Sequence, residues 1–480
     1  MKLEVAPDAV AALRASVTLT GEPECKQLRA VYYDTPDKAL AAAGFSLRIR
    51  TSGDSRIQTV KAGGAASAGL FVRSEWEMPV CDDRPVLDHT TPIKAKLGAL
   101  VDKIGPLFEV TVERCTWIVQ EGGSTIELVL DQGLIHGDND DVGVCEIELE
   151  LKDGVPADLF RLAHKLDAVA PVRIGVLSKS ERGYRLTRAM KPAFKAEPIA
   201  LDPTMDAATA FQHVAQMSLR QFRLNEHVLL QGRSPKALHQ ARVALRRLRS
   251  AFSIFATVFE GDDKAAPLRD DLRELAAILG EARNLDVLIG RARAGALHDR
   301  LQSARDDAYT AVETALAAPK TRTLMLDIME WLVDGPWLSD AKIEGQRSEP
   351  IEPFAQHALD RYRRKVKKGG RRLAKADDKT RHDLRKNAKK LRYASEFFVA
   401  LFDDKKGRRR YKRFIAALED LQDRLGLLND LATAPDELQK LGVSDDPEAQ
   451  ALLGSEAKKP LISAAADAHE ELADTKRFWR

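Results

Sequence analysis

Aromatic residues make up only 6% of this 480-residue chain, and it has four cysteines. No apolar stretch approaches the roughly 20 residues of a membrane-spanning helix, and the Met1-Lys2-Leu3-Glu4 start has no apolar run of the kind that opens a secretory leader. Cys25, Cys81, Cys115 and Cys145 are widely spaced, with no C-x-x-C pair. They read as reduced thiols, so neither a zinc site nor a disulfide framework is expected and the chain is assigned to the cytoplasm. Few aromatics interleave the cations, so the stacking platforms of a single-strand binder are missing and nucleic acid is not the expected partner.

A strong overall charge is missing too. The net value of +3 nevertheless hides an uneven distribution: Arg361 to Arg413 holds 23 Lys and Arg against 6 Asp and Glu. A block of that density needs a polyanionic partner, which need not be a nucleic acid. At 480 residues the chain is too long for one ordinary core. Pro192, Pro198 and Pro203 mark a linker over 191–204, and across it the hydrophobic period changes from 2 to 3.6.

Residues 1–190 are rich in strand-like runs: Leu28–Asp34, Phe45–Thr51, Ser55–Lys61, Leu70–Val80, Phe108–Gln120, Thr125–Asp131 and Val144–Lys152. The last of these contains a strict alternation, with Glu146, Glu148 and Glu150 on one face and Ile147, Leu149 and Leu151 on the other. Same-face carboxylates about 7 Å apart repel by about 2.4 kcal/mol at an effective dielectric near 20. Cations must offset that repulsion. Arg48 and Arg50 flank Ile49, Glu75 and Glu77 flank Trp76 with Arg73 on the same side, and Glu127 and Asp131 oppose Leu128 and Leu130. Two arrangements satisfy this pattern: a sheet with its charged face in solvent, or a barrel with aliphatic faces under helices and charged faces lining the lumen.

Tyr33-Asp34-Thr35-Pro36, Gly44-Phe45-Ser46-Leu47-Arg48-Ile49-Arg50, Gln58-Thr59-Val60-Lys61, Glu75-Trp76-Glu77, Cys145–Glu150 and Ser178-Lys179-Ser180-Glu181-Arg182-Gly183-Tyr184 follow one another in an order that resembles the CYTH domain, or triphosphate tunnel metalloenzyme family. The resemblance covers nearly all of 1–190 and implies an eight-stranded antiparallel tunnel with a charged interior. It further implies hydrolysis of a triphosphate, such as inorganic tripolyphosphate, with Mg²⁺ or Mn²⁺. By the same resemblance Lys2, Arg48, Arg50, Lys61, Arg73, Arg114 and Arg182 would grip the substrate, and Glu146, Glu148 and Lys179 would be catalytic. Glu75, Glu77, Asp131, Glu146 and Glu148 would hold the metal. A chain of four or five negative charges does need several fixed cations. Lys2 matches the lysine of the family's Glu-x-Glu-x-Lys signature, and the two glutamates before it, which contribute to the family's metal site, would fall ahead of Met1. Either the start lies a few residues late, or the metal site is thinner and the tunnel binds polyphosphate without catalysis.

Residues 205–480 read as amphipathic helices near 205–231, 235–260, 267–280, 284–316, 321–334, 352–373, 380–402, 408–427 and 447–474. They also repeat. His239, Arg242, Arg246, Arg247 and Arg249 recur at identical offsets as His382, Arg385, Lys389, Lys390 and Arg392, each set followed some 40 residues on by a Leu-Gly corner, Leu279-Gly280 and Leu425-Gly426. On a helix His239, Arg242, Arg246 and Arg249 share an arc of about 80°, opposite Leu245, Leu248 and Phe252. Cations stacked this way repel one another unless an anion receives them. His239-Gln240-Ala241-Arg242-Val243-Ala244-Leu245-Arg246-Arg247-Leu248-Arg249 resembles the signature of the CHAD domain, a pair of pseudo-symmetric helical bundles. That resemblance implies that both cation sets bind inorganic polyphosphate, and that the chain associates with polyphosphate granules. The expectation is an α+β multidomain protein: a β tunnel followed by an all-α half.

Overall fold

A computed structural model describes residues 1–62, 69, 74–137, 140–187, 191–444, 446–452 and 458–480. The chain divides into two compact units, Met1–Phe194 with Ala317–Asp334, and Lys195–Leu316 with Gly335–Arg480. None of the described helices is long and apolar enough to cross a membrane.

The first unit is built on one antiparallel sheet of nine strands: β1 (Lys2–Val5), β2 (Glu24–Asp34), β3 (Phe45–Ser52), β4 (Ser55–Ala62), β5 (Glu75–Pro79), β6 (Gly105–Glu121), β7 (Ser124–His136), β8 (Asp141–Asp153) and β9 (Val172–Ile174). Their order is β5-β4-β3-β2-β6-β7-β8-β1-β9. The expected count of eight is exceeded by β9, whose three residues are too few to show a period in sequence. The sheet curls: the Lys2 amide donates to the Gly69 carbonyl, 2.9 Å away, on the connection between β4 and β5. Gly69 has φ +84°, and a Cβ there would collide with Ile174, so only glycine lets this connection close over β1.

The inside-out arrangement is the one observed. Val31, Tyr33, Leu47, Ile49 and Val60 turn outward and are buried with Leu40, Ile93 and Leu97 of short flanking helices. Helix α1 (Pro156–Val169) packs Leu159, Phe160, Leu162 and Leu166 on the outside of β6, β8 and β9. The alternate residues, which include the charges, face the concave side. One end of that side is filled by an apolar plug of Tyr32, Phe108, Val110, Ile135 and Val144, against which Tyr184 of α2 (Lys179–Leu186) packs. Ser178 starts α2 with a capping box closed by Glu181.

The expectation of four reduced thiols fails for two of them. Cys25 and Cys115 stand opposite each other on β2 and β6, Cα atoms 4.1 Å apart, and are disulfide-bonded; Cys81 and Cys145 are free. Their separation of 90 residues hid a pairing that only strand register creates.

The second unit contains α3 (Ala207–Gln231), α4 (Pro235–Ile254), α5 (Ala265–Ile289), α6 (Ala296–Ala317), α8 (Ile351–Gly370), α9 (Asp378–Phe398), α10 (Lys405–Lys440) and α11 (Lys458–Asp474). Helix α7 (Pro319–Asp334) belongs to the first unit, where it packs on α1 and β9. Ser234 caps α4 ahead of Pro235, and Asp377 caps α9. The repeat is visible as α3-α4-α5 and α8-α9-α10, with α4 against α9. Phe252 of α4 and Phe255 just past its end join Phe211, Phe259, Trp337, Phe354 and Phe398 in one aromatic core. The expected Leu-Gly corners are not corners: α5 runs through Gly280 and α10 through Gly426. The Arg242 guanidinium donates to the Gly280 carbonyl at 3.3 Å.

Candidate active site and cation surface

Register explains how the tunnel's charges meet. Arg114 on β6 faces Asp131 on β7, Asp131 faces Glu146 on β8, and Glu146 faces Glu4 on β1, while Glu148 faces Lys2. Side chains of directly paired residues lie on one face, so a row of carboxylates and cations crosses four strands. Asp131, Glu146 and Glu148 bring one oxygen each to within 4.8 Å of one another. Asp131 and Glu146 are fully buried, whereas the Glu148 side chain keeps 37% of its surface.

Four cations surround these carboxylates. Lys179 Nζ, brought in by the start of α2, is 2.5 Å from Asp131 and from Glu146 and 3.3 Å from Glu148. Lys2 Nζ is 2.7 Å from Glu146 and 3.6 Å from Glu148. Arg114 grips Asp131 with two bonds of 2.7 and 2.6 Å, and Arg182 reaches Glu146 at 2.9 Å and Glu4 at 3.3 Å. Burial alone would raise the Glu146 carboxyl, but Lys2, Lys179 and Arg182 outweigh it and bring it down to about 2. Partial desolvation also opposes the charge on Glu148, yet Lys179, Lys2 and Arg114 hold it well below the carboxylate range. Burial opposes the charge on Lys179, and Glu148, Glu146 and Asp131 override it and raise the ammonium's pKa.

Arg48, Arg50 and Lys61 line the same concave face from β3 and β4. Burial lowers Arg50, helped by Arg48 and Arg114, and burial lowers Lys61, helped by Arg48. Arg48 is itself within electrostatic reach of Glu148 across the curl of the sheet. Glu75 and Glu77 stand apart from the carboxylate group: Glu75 pairs with Lys61 at 2.6 Å and Glu77 accepts from Thr59 at 2.9 Å. Arg73 lies outside the described residues. Glu4, the partner of Arg182, did not stand out in the sequence; its place opposite Glu146 was the missing signal.

The helical unit treats its cations differently. Arg242 and Arg246 of α4 and Arg385 and Lys389 of α9 come within electrostatic reach of one another, with Arg283 of α5 beside them. Burial and then Arg246, Arg385 and Arg242 push Lys389 down to about 7. Burial, with Arg246 and Arg283, takes Arg242 to about 10. His239 is lowered by burial and the same arginines, and His382 Nδ1 is 2.8 Å from Asn429 Oδ1. Arg249 and Lys390 form a second group with Arg269 and Lys365, and both are lowered, by burial first. Arg247 and Arg392 do not join either group. Arg247 is buried against Tyr393, Phe397 and Glu396, and Arg392 bonds Glu396 at 3.0 Å and Glu419 at 2.9 Å. Arg283 was missed in the sequence although it sits three residues past Gly280, the marker that repeats.

The CYTH domain family matches residues 1–184 and the CHAD domain family residues 213–439. Over 162 residues the chain is 33% identical to an inorganic triphosphatase of Haemophilus influenzae, a stretch that is 32% of this chain and 44% of that protein. The chain thus spans less than half of that relative's length. An uncharacterized protein of Mycobacterium tuberculosis is 26% identical over 432 residues, 79% of this chain and 78% of that one. Among solved structures, the CHAD domain of Ricinus communis has 28% identity over 59% of this chain and 97% of its own, with a TM-score of 0.49. A Hippeastrum protein with a dominant triphosphatase activity has 16% identity over 40% of this chain and 96% of its own, with a TM-score of 0.28.

Proposed function

The chain carries an N-terminal CYTH domain followed by a C-terminal CHAD domain, and from that premise we propose that it hydrolyses inorganic tripolyphosphate or a related short triphosphate in the tunnel and binds polyphosphate on the helical unit. One observation carries the reading: three converging carboxylates, Asp131, Glu146 and Glu148, share a concave face with the cations of β3, β4, β6 and α2. Arg48, Arg50, Lys61 and Arg114 would hold the phosphate oxygens, and Lys179 and Arg182 would do so from the α2 side. The carboxylates are hard oxygen donors and close enough to share an ion, so they fit Mg²⁺ or Mn²⁺. Bound there with the substrate, such an ion would neutralise phosphate charge and acidify a water.

The residues' own chemistry limits their roles. A carboxyl near 2, as at Glu146, is a poor proton acceptor at neutral pH, so Glu146 and Glu148 orient rather than abstract. Water attacks the terminal phosphorus in line, the phosphoanhydride bond breaks, and the departing phosphate leaves with its bonding pair. The water's proton passes to bulk or to phosphate oxygen by way of the half-open side at Glu148. Lys179 stands among the very oxygens an ion would use. A triphosphate that draws this ammonium to its own oxygens therefore frees them.

That same position of Lys179 favours a second reading, in which the carboxylates are already neutralised and the tunnel binds phosphate chains without cleaving them. Phosphate release decides between the two, measured on tripolyphosphate, ATP, thiamine triphosphate and long-chain polyphosphate with Mg²⁺ or Mn²⁺ and with EDTA. Metal-dependent release from a short triphosphate supports hydrolysis; binding with no release under any metal supports the second. For the helical unit, polyphosphate should displace DNA at matched salt, and the reverse order would overturn its assignment.

A further inference from the structure

A second group of metal-capable side chains lies away from the tunnel, where α7 meets α1. His164 Nε2 is 3.1 Å from Asp327 Oδ1 and 3.8 Å from Glu330 Oε2, and the three donor atoms all fall within 4.8 Å of one another. Asp327 and Glu330 are three residues apart on α7, which puts both on one face of that helix. His164 approaches them from α1. The register is fixed independently of this group: Arg322 of α7 bonds Asp167 of α1 at 2.6 Å, both side chains are buried, and Asp167 also accepts the Val172 amide at 2.9 Å. The three donors are therefore held in place by packing rather than by each other.

The site already attracts positive charge. The hydrogen bond to Asp327 raises the His164 pKa against the effect of burial, with Glu330 and Asp167 adding to the rise. The three side chains keep about a third of their surface, at 30%, 42% and 34%, so water can complete a coordination shell. One imidazole nitrogen with two carboxylates is a borderline donor set, suited to zinc and its first-row neighbours and poorly suited to Mg²⁺.

We propose that His164, Asp327 and Glu330 bind a divalent transition-metal ion, zinc in the first instance, at a site separate from the tunnel. The ion takes three protein ligands and water, replaces the proton on His164, neutralises the two carboxylates and pins α7 to α1. Its role is structural, because nothing in the group faces the concave side of the sheet.

The test uses the full chain, stripped of metal and titrated with zinc against a chromophoric chelator. The unchanged protein should bind one more zinc than His164→Ala, and Glu330→Gln should bind that zinc at least about tenfold more weakly. Zinc should also raise the thermal unfolding midpoint of the unchanged protein and not that of His164→Ala. Repeating the titration in Glu146→Gln removes the tunnel carboxylates from the count. Equal stoichiometry and equal midpoint shifts in all these proteins would overturn the proposal and leave a histidine–carboxylate ion pair. Should His164→Ala fail to fold, Glu330→Gln carries the same comparison.

Discussion

Two lysines, each largely withdrawn from water, are driven in opposite directions. Lys179 in the tunnel is raised by three carboxylates, whereas Lys389 on the helical unit is lowered to about 7 by burial among three arginines. The tunnel supplies three carboxylates to its central lysine, whereas Lys389 has only a minor countercharge from Asp430. An anion arriving in the tunnel must exchange partners with Asp131, Glu146 and Glu148; one arriving at α4 and α9 relieves a repulsion that Asp430 offsets only in part. Under the proposed function, similar cation counts would serve different ends: selection with chemistry in one place, retention in the other.

The sharpest way to break this contrast is Glu146→Gln. It removes the anion shared by Lys2, Lys179 and Arg182, and turnover of the triphosphate that the wild type cleaves should fall by about 10³-fold, with polyphosphate binding unchanged. Next comes Arg246→Ala with Lys389→Ala. Each charge-assisted contact contributes about 1.5–3 kcal/mol, so polyphosphate affinity should drop by about 10²-fold or more while turnover stays within about twofold. A large loss of turnover in that folded variant would refute the division of labour.

A pH experiment is subtler. Lys389 goes from 10.5 in the unfolded chain to about 7 in the folded one. Between those values the unfolded state holds more protons, so the free protein gains stability as pH rises through that window. Polyphosphate favours the ammonium, so binding above pH 7 should take up protons and weaken as pH rises. Calorimetry at pH 8 in buffers of different ionisation heat reads the uptake, and Lys389→Met should abolish it. The smallest expected effect is at Arg392→Gln: affinity within about twofold, and a loss of about 1 kcal/mol of stability from the broken Glu396 and Glu419 contacts.

Much of the first unit was legible because a strand's period is 2 and one face must be buried. The alternation of Glu146 and Glu148 with Ile147 and Leu149, repeated by Arg48 and Arg50, put the charges on one face and the aliphatics on the other but left open which face was inside; the family resemblance pointed to the charged one. What stayed hidden came from contacts distant in sequence. Nothing local marks Lys179 as the cation at the centre of the carboxylates, and Cys25 with Cys115 needed register. In the helical half the repeated spacing pointed to Arg242, Arg246, Arg385 and Lys389. Arg247, one residue on and so 100° around the helix, turns to Glu396, 149 residues away. The Leu-Gly pairs read as breaks because glycine weakens helices, but a single glycine costs only about 1 kcal/mol, too little to stop α5 at Gly280 or α10 at Gly426. Helix α7 had an apolar face of ordinary kind, and such a face does not say which unit will cover it.

The order of the strands has a consequence for synthesis on the ribosome. β1 is made first, yet it sits between β8 and β9, and the surface of α1 is not covered until α7, ending at Asp334, has emerged. At about 5–20 residues per second, translation leaves roughly 15–70 s between β1 and the last piece of its unit. β1 itself has neither of its neighbours until β8 and β9 have been made. The first unit is thus completed only after much of the second has been translated, and the chain cannot simply fold one half and then the other.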